Sequence, residues 1–245
     1  MGNERLRAQL HQAGLNSSDL ANAISVDPKT VERWITNGRL PHRRHRWETA
    51  RLLGTEETYL WPGVATDART AAASEAEFVQ LYPHRGMVPI ALWNSMISNA
   101  EEAVDVLVYS GLFLFDVHAE LAKQLATKAR SGAKVRLLLG DEDSPLVVQR
   151  GIEEGIGEDL LARIRLARSA IAPLREVPGV QLRKHSTPLY CSIYRFDSEV
   201  LANTHVYGAR APQNPVLHLR RVPGGRLFDH YMRSYDQVWA TSKPL

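Results

Sequence analysis

Residues 20–38 read LANAISVDPKTVERWITNG, and their spacing predicts two helices with a turn between them. Asp27 is a good N-cap, because its short carboxylate accepts from the first free N–H groups of a helix. Pro28 suits the first helical position, where a missing N–H costs nothing. The helix so begun runs through KTVERWIT, with Val31, Trp34 and Ile35 on one apolar face, and Asn37-Gly38 ends it. Upstream, Leu20, Ala21 and Ile24 mark a helix that opens near the capping candidates Ser17 and Ser18, so Ser25, Val26 and Asp27 alone join the two. Further out, Leu6, Leu10 and Ala13 repeat at helical spacing until Gly14. Trp47, Ala50, Leu52 and Leu53 give a fourth helix its apolar face before Gly54. Trp34 and Trp47 are both assigned to the core, since tryptophan at an apolar helical position packs far more often than it serves as a stacking platform.

A short helix, a tight turn and a helix with small polar or basic residues at its start form the helix-turn-helix arrangement. The phrase resembles the Cro/cI type (XRE family) of DNA-binding domains. Leu20-Ala21 fall in the support helix, Val26 after the turn, and Thr30-Val31 with Trp34 in the recognition helix. Ser25 departs from the pattern: it stands where the family usually has glycine, which asks for a less relaxed backbone. The resemblance covers about 60 residues. It implies that early positions of the recognition helix reach base edges, so Lys29, Thr30 and Arg33 are the readout candidates. Arg33 is able to pair bidentately with guanine, and Glu32 to accept from cytosine. The competing reading of Lys29 and Glu32 is a solvated surface pair. Arg39, Arg43, Arg44 and Arg46 follow the recognition helix and are expected to position the protein on the sugar-phosphate backbone rather than to read sequence.

The charge distribution points the same way only when taken locally. The chain has 245 residues, with 30 Lys+Arg against 27 Asp+Glu, 44% hydrophobic and 23% charged residues. That describes a globular chain of one large domain or two and excludes a disordered or fibrous one, while a formal net charge of +3 names no partner. Arg39, Arg43, Arg44, Arg46 and Arg51 nevertheless fall within thirteen positions opposed by Glu48 alone, with His42 and His45 among them. Such a patch is the usual electrostatic footprint for phosphates, although a solvated helix face also carries such runs. A single cysteine excludes an intramolecular disulfide and an all-cysteine metal site, and no cofactor or metal is expected. The start, MGNERLRAQLHQ, lacks the apolar core of a signal peptide, and no apolar run approaches the ~18 residues of a membrane span, so a cytoplasmic, nucleoid-associated protein is expected. Residues 65–77, ATDARTAAASEAE, suit a linker or an exposed connecting helix. The expected organisation is therefore a helical domain over 1–64, a linker over 65–77 and a second domain over 78–245.

The second domain alternates helix and strand. Ile90, Trp93, Met96, Ile97 and Ala100 make an amphipathic helix, and Val104–Tyr109 a buried strand. After Asp116 as N-cap, Val117, Leu121, Leu125 and Ala129 lead to Gly132, and Val135–Leu139 is a second buried strand. This is a βαβ unit with parallel strands. Leu189–Phe196, Val200–Val206 and Val216–Leu219 read as further strands, and Leu227, Phe228, Tyr231, Tyr235, Val238 and Trp239 as the face of a last helix. The phrases LAKQLATKARSGAKVRLLLG, LYCSIYRFDSEVLANTHVYG and RLFDHYMRSYDQVW resemble one half of the phospholipase D-like fold. The expected fold class is thus an all-α helix-turn-helix domain followed by an α/β phospholipase D-like domain.

In that family catalysis rests on HxKxxxxD, in which histidine attacks a phosphodiester and lysine binds the phosphate. None of the nine histidines has lysine two residues later. Counting back from Asp197 puts Tyr190 in the place of the histidine and Ser192 in that of the lysine, and Thr204-His205 stand where the family has Gly-Ser. No catalytic residue is assigned, and phosphodiester hydrolysis is not expected. Ser110, Tyr190, Ser192, Asn203, Thr204 and His205 would line the surviving cleft, offering hydroxyl and amide groups rather than charge to a small effector. Cys191 points to the opposite face of the strand by alternation. The other reading is a filled cleft in a domain that only dimerises.

Family members with one catalytic half pair with a second copy, clefts face to face across a two-fold axis. The resemblance so implies a homodimeric, bacterial-type transcriptional regulator that places two heads on half-sites of a near-palindromic operator. The rivals are a phosphodiesterase or nuclease with an active site rebuilt on His205, and an adaptor whose helical domain binds a partner chain.

Overall fold

The computed structural model describes residues 2–65, 68–118 and 120–245, without the side chains of 64, 65 and 68–71. Thr66 and Asp67, inside the stretch read as a linker, lie outside the described residues. The chain divides into two compact units, Met1–Ala71 and Ala72–Leu245.

The first unit contains α1 (Glu4–Gln12), α2 (Ser17–Ala23), α3 (Pro28–Asn37), α4 (Arg43–Leu52), α5 (Glu57–Leu60) and α6 (Pro62–Ala65), and the division falls within α7 (Ala68–Glu77). Leu6, Leu10, Leu20, Ala21, Ile24, Val31, Trp34, Ala50, Leu60 and Trp61 form its core. The start of α3 is as its sequence dictates: the Asp27 side chain accepts from the Lys29 N–H, Pro28 follows, and Gly38 closes the helix at φ 63°. Asn3 ties the two ends of the unit together. Its side-chain oxygen accepts from the Leu6 N–H, and its amide donates to the Leu60 carbonyl at 2.8 Å.

Two expectations here are corrected. The N-cap of α2 is Asn16, not Ser17 or Ser18, because Asn16 and Asp19 cap each other's backbone reciprocally and the serines are left in the first turn. Trp47 is 56% exposed and outside the core. The inward stripe of α4 runs through Thr49 and Ala50, which leaves Trp47 and Leu52 facing outward, the indole covered by the Arg51 guanidinium at 5.2 Å. Trp34 is buried as expected.

The second unit is an α/β domain with β1 (Phe78–Tyr82), α8 (Ile90–Asn99), β2 (Ala103–Leu107), α9 (Leu112–Val117), α10 (Leu121–Arg130), β3 (Lys134–Gly140), α11 (Pro145–Glu153), α12 (Asp159–Ile171), β4 (Val180–His185), β5 (Cys191–Phe196), β6 (Glu199–Thr204), β7 (Val216–Arg220), α13 (Leu227–Thr241) and β8 (Lys243–Pro244). Among the described residues the sheet has eight strands in the order β1-β7-β6-β5-β2-β3-β4-β8. β2, β3 and β4 are parallel, and the other pairs are antiparallel. The expected βαβ unit is therefore present, but its helix is broken in two. Asp116 lies inside α9 rather than capping it, and α10 opens after Glu120 without a side-chain cap.

Alternation along the central strands sends Val104, Val106, Leu137 and Leu139 to one apolar layer, with Trp93, Ile97, Leu121 and Leu125. Leu107, Leu138 and Ile193 go to the other, with Ile164, Phe228 and Tyr235. A charged cluster sits inside the sheet. Asp105, fully buried, accepts two hydrogen bonds from Arg136 at 2.6 and 2.9 Å and one from Arg195 at 2.8 Å. Buried Glu77, last residue of α7, accepts from the Leu227 and Phe228 N–H groups and so caps α13. A Cβ on Gly225 would lie 2.2 Å from the Glu77 carboxyl carbon, so glycine is required there. Among the described residues no helix is long and apolar enough to cross a membrane.

Candidate functional site

The first candidate surface is α3. Lys29, Glu32 and Arg33 are exposed on it, Thr30 is half-buried, and Lys29, Arg33 and Thr36 recur at helical spacing on one face. Among the described residues no side-chain hydrogen bond or ion pair engages Lys29, Arg33, Arg39 or Arg43, so their cationic heads are open to a partner, and Lys29 and Glu32 do not pair with each other. Arg44 pairs with Glu48 at 2.8 Å on the surface of α4.

Arg46 is half-buried and already engaged within the unit. Its side chain donates to Glu57 at 2.6 Å and to the Pro41 carbonyl at 2.9 Å, which uses its guanidinium to hold α4 against α5.

The second candidate is a cleft of about 410 Å³ at the C-terminal end of β2, walled by the segment before α8, the chain around α9, the turn from α11 to α12, and β5 with the residues after β6. Ser110, Ser192 and His205 line it as expected. Tyr190 does not. β5 starts at Cys191, so Tyr190 precedes the pleat and turns outward, 83% exposed, into a separate groove with Cys191. The count that placed it began from Asp197, and Asp197 lies at the far turn of the β5–β6 hairpin. There it accepts the N–H groups of Glu101, Glu102 and Ala103, each at 2.8 Å. Burial alone would raise the Asp197 carboxyl, and these three donors hold it below the usual range. The Asn203 amide donates to the carbonyls of Asn214 and Pro215, and the Thr204 hydroxyl to that of Pro215, so both fasten β6 to the chain before β7 rather than face the cleft.

Within the cleft the Ser192 hydroxyl lies 3.0 Å from His205 Nε2, and His205 Nδ1 lies 3.1 Å from the Leu189 carbonyl. A carbonyl only accepts, so Nδ1 carries the proton, and Nε2 is left as the acceptor for the serine O–H. The Tyr109 ring stacks on the imidazole at 5.7 Å, and its hydroxyl accepts from the Leu189 N–H at 2.8 Å, fixing the carbonyl that orients the histidine. Burial, with the nearby cations Arg150 and Arg85, pushes His205 down to about 4, so the ring is neutral at pH 7. Cys191, on the other face, is pushed up to about 11 by burial.

Contrary to the expectation of an uncharged lining, Arg85, Asp116, Glu154 and Arg163 face the cleft. Arg85 lies over the Phe113 ring at 3.8 Å, the buried Tyr194 lines the same cleft, and Glu154 is held by Arg150 at 2.8 Å. These residues come from segments with no local motif, and the topology alone assembles them. No cluster of three metal-ligating side chains occurs among the described residues.

No family model and no curated protein matches the chain. Among solved structures it is similar to TrmBL2, an archaeal chromatin protein with a novel mode of DNA binding, at a TM-score of 0.41 and 12% identity over 68% of this chain and 54% of that one. It is also similar to Nuc, a phospholipase D family member from Salmonella typhimurium, at a TM-score of 0.41 and 16% identity over 63% of this chain and 89% of that one. The chain thus spans about half the length of TrmBL2.

Proposed function

We propose that this protein is a sequence-specific regulator of transcription that reads double-stranded DNA through α3. The observation that carries the reading is a capped helix, four residues after its support helix, presenting Lys29 and Arg33 without a hydrogen-bond or ion-pair partner among the described residues. Arg39 and Arg43 beside it are equally free, which suits contacts to phosphates on either side of a groove. Arg33 then reads a guanine, and Arg43 positions the head.

The regulator acts as a homodimer formed through the second unit, on a near-palindromic operator of the nucleoid, and a small effector in the cleft alters the spacing of the heads through α7. The cleft favours an effector with polar groups to match Ser110, Ser192 and the free cation Arg163. It does not hydrolyse phosphodiesters, for want of a histidine nucleophile followed by a phosphate-binding lysine.

Selection of bound fragments from genomic DNA tests this reading. The expected result is enrichment of paired half-sites about 10 base pairs, or a multiple of that, apart. Fragments bound no more tightly than random duplex at physiological salt would overturn it.

A further inference from the structure

The cleft holds more than a binding surface. Ser192, His205 and the Leu189 carbonyl stand in line, hydroxyl to Nε2 at 3.0 Å and Nδ1 to oxygen at 3.1 Å. That is the relation of a nucleophile, its general base and the group that fixes the base in its tautomer, here a backbone carbonyl in the third position. Tyr109 holds this carbonyl from its own N–H side and stacks on the imidazole, so the base has little freedom to turn. Both side chains line an opening of about 410 Å³, although Ser192 is only 4% exposed, so its oxygen is largely shielded from bulk water yet open to a ligand in the cleft. Arg85, which makes no ion pair among the described residues, and Tyr194 line the site with Ser192 and offer a cation and a hydroxyl to developing negative charge. Leu112, Phe113, Ile156 and Leu160 give the same cleft an apolar wall.

We propose that Ser192 and His205 form a catalytic dyad that hydrolyses short-chain carboxylic esters in this cleft. The Ser192 hydroxyl proton passes to His205 Nε2 as Oγ bonds to the ester carbonyl carbon, and the carbonyl oxygen takes the charge, facing Arg85. The carbon–alkoxide bond then breaks, the leaving oxygen takes the proton from Nε2, and an alcohol departs, leaving acyl-Ser192. Water adds to the acyl carbon with its proton going to Nε2, and the carboxylic acid is released as the proton returns to Oγ. Ester and water give acid and alcohol, with no other reactant. Burial and the neighbouring cations keep the imidazole neutral at pH 7, so the base is in its working form there. The activity is independent of DNA binding by the first unit.

The test is to expose the full chain to an alkyl fluorophosphonate and locate the adduct by mass spectrometry of its peptides. The expected result is one phosphonyl group on Ser192 of the unaltered protein, together with turnover of p-nitrophenyl butyrate. Ser192→Ala should abolish both, and His205→Gln should slow both by about 10²-fold or more. Because the adduct is mapped on the unaltered protein, the outcome does not depend on either variant folding. No adduct on Ser192, or ester turnover that Ser192→Ala leaves unchanged, overturns the proposal.

Discussion

In the N-terminal unit the side chains offered to a partner, Lys29, Arg33, Arg39 and Arg43, make no hydrogen bond or ion pair among the described residues. In the C-terminal unit, by contrast, Ser192 and His205 are held by Leu189 and Tyr109 in one connected polar network. Groups of the first kind can be changed with little effect on folding, since their energy is realised only against a partner. Groups of the second kind carry folding and chemistry together, because a buried polar atom that loses its mate keeps the cost of its desolvation. Substitutions in the two units should therefore separate binding from stability in one and entangle them in the other.

The largest effect is expected at Asp105. Asp105→Ala strips the buried carboxylate from Arg136, which keeps only the exposed Asp236 as an ion-pair partner, and from Arg195, and breaking a buried pair costs about 3–5 kcal/mol. Hydrogen exchange at the amides of β2 and β3 measures it, and unchanged protection would show that the buried cluster contributes nothing. The N-terminal unit has its own sensitive position. Trp34→Ala, in the core, should cost about 3–5 kcal/mol, whereas Trp47→Ala, losing its contact with Arg51 on the surface, should cost at most about 1 kcal/mol. Thermal melts of the two variants compare them directly. Equal losses would mean that α4 packs by the face the sequence suggested.

What could be read from sequence follows the same division. The bounds of α3 were legible because Asp27, Pro28 and Gly38 act on the backbone next to them. The parallel pairing of β2 and β3 was legible because a helical period stands between two short apolar runs. Asn16 was passed over for Ser17 because the evidence for it is its partner Asp19, three residues on. Trp47 departs from expectation because its spacing to Ala50 reads as one apolar stripe, whereas the inward face of α4 runs through Thr49 and Ala50 and leaves both Trp47 and Leu52 outside. The edge strand β1, the pair α11–α12 and β4 were missed: β1 is exposed on all but Tyr82, and β4 is mostly half-buried, so neither shows a clean inward alternation. In the cleft, Ser110, Ser192 and His205 were found along strands, but Arg85, Glu154 and Arg163 come from distant segments that only the fold unites. Tyr190 failed because parity counted from Asp197 assumes an unbroken strand, and β5 begins one residue later.

Three arginines sharpen the contrast at intermediate magnitude. On the DNA-reading proposal, Arg33→Ala should cost about 1–3 kcal/mol at one base pair and relax specificity there, while Arg43→Ala should weaken binding to all sequences and flatten the salt slope by about one. Arg46→Ala should instead lower the melting temperature of the first unit, because its guanidinium holds α4 to Glu57 and to the Pro41 carbonyl within that unit. Binding isotherms on operator and random duplex at several salt concentrations separate the three. Identical losses on every sequence for Arg33 and Arg43 would place the recognition helix elsewhere.

The smallest effect concerns backbone strain, and here, among the described residues, each unit supplies one non-glycine residue at positive φ, Ser25 at 55° and Asp197 at 50°. Asp197 is compensated by its three backbone donors, and its carboxyl is held below the usual range despite burial. Its contribution is present above the unfolded carboxyl range and is lost as pH falls through the lowered value, so Asp197→Gly should destabilise at neutral pH and matter less in acid. Ser25 has no such compensation, since its side chain makes no hydrogen bond. Left-handed backbone costs an L-residue roughly 1–2 kcal/mol, and glycine gives back part of the gain, about 0.5–1 kcal/mol, as extra freedom in the unfolded chain. Ser25→Gly should thus stabilise the first unit by about 0.5–1 kcal/mol and raise its melting temperature by a few degrees, with DNA affinity unchanged. Higher stability bought at weaker operator binding would show instead that the strained turn sets the pitch of α3 against its groove, which is how strain is retained at working sites.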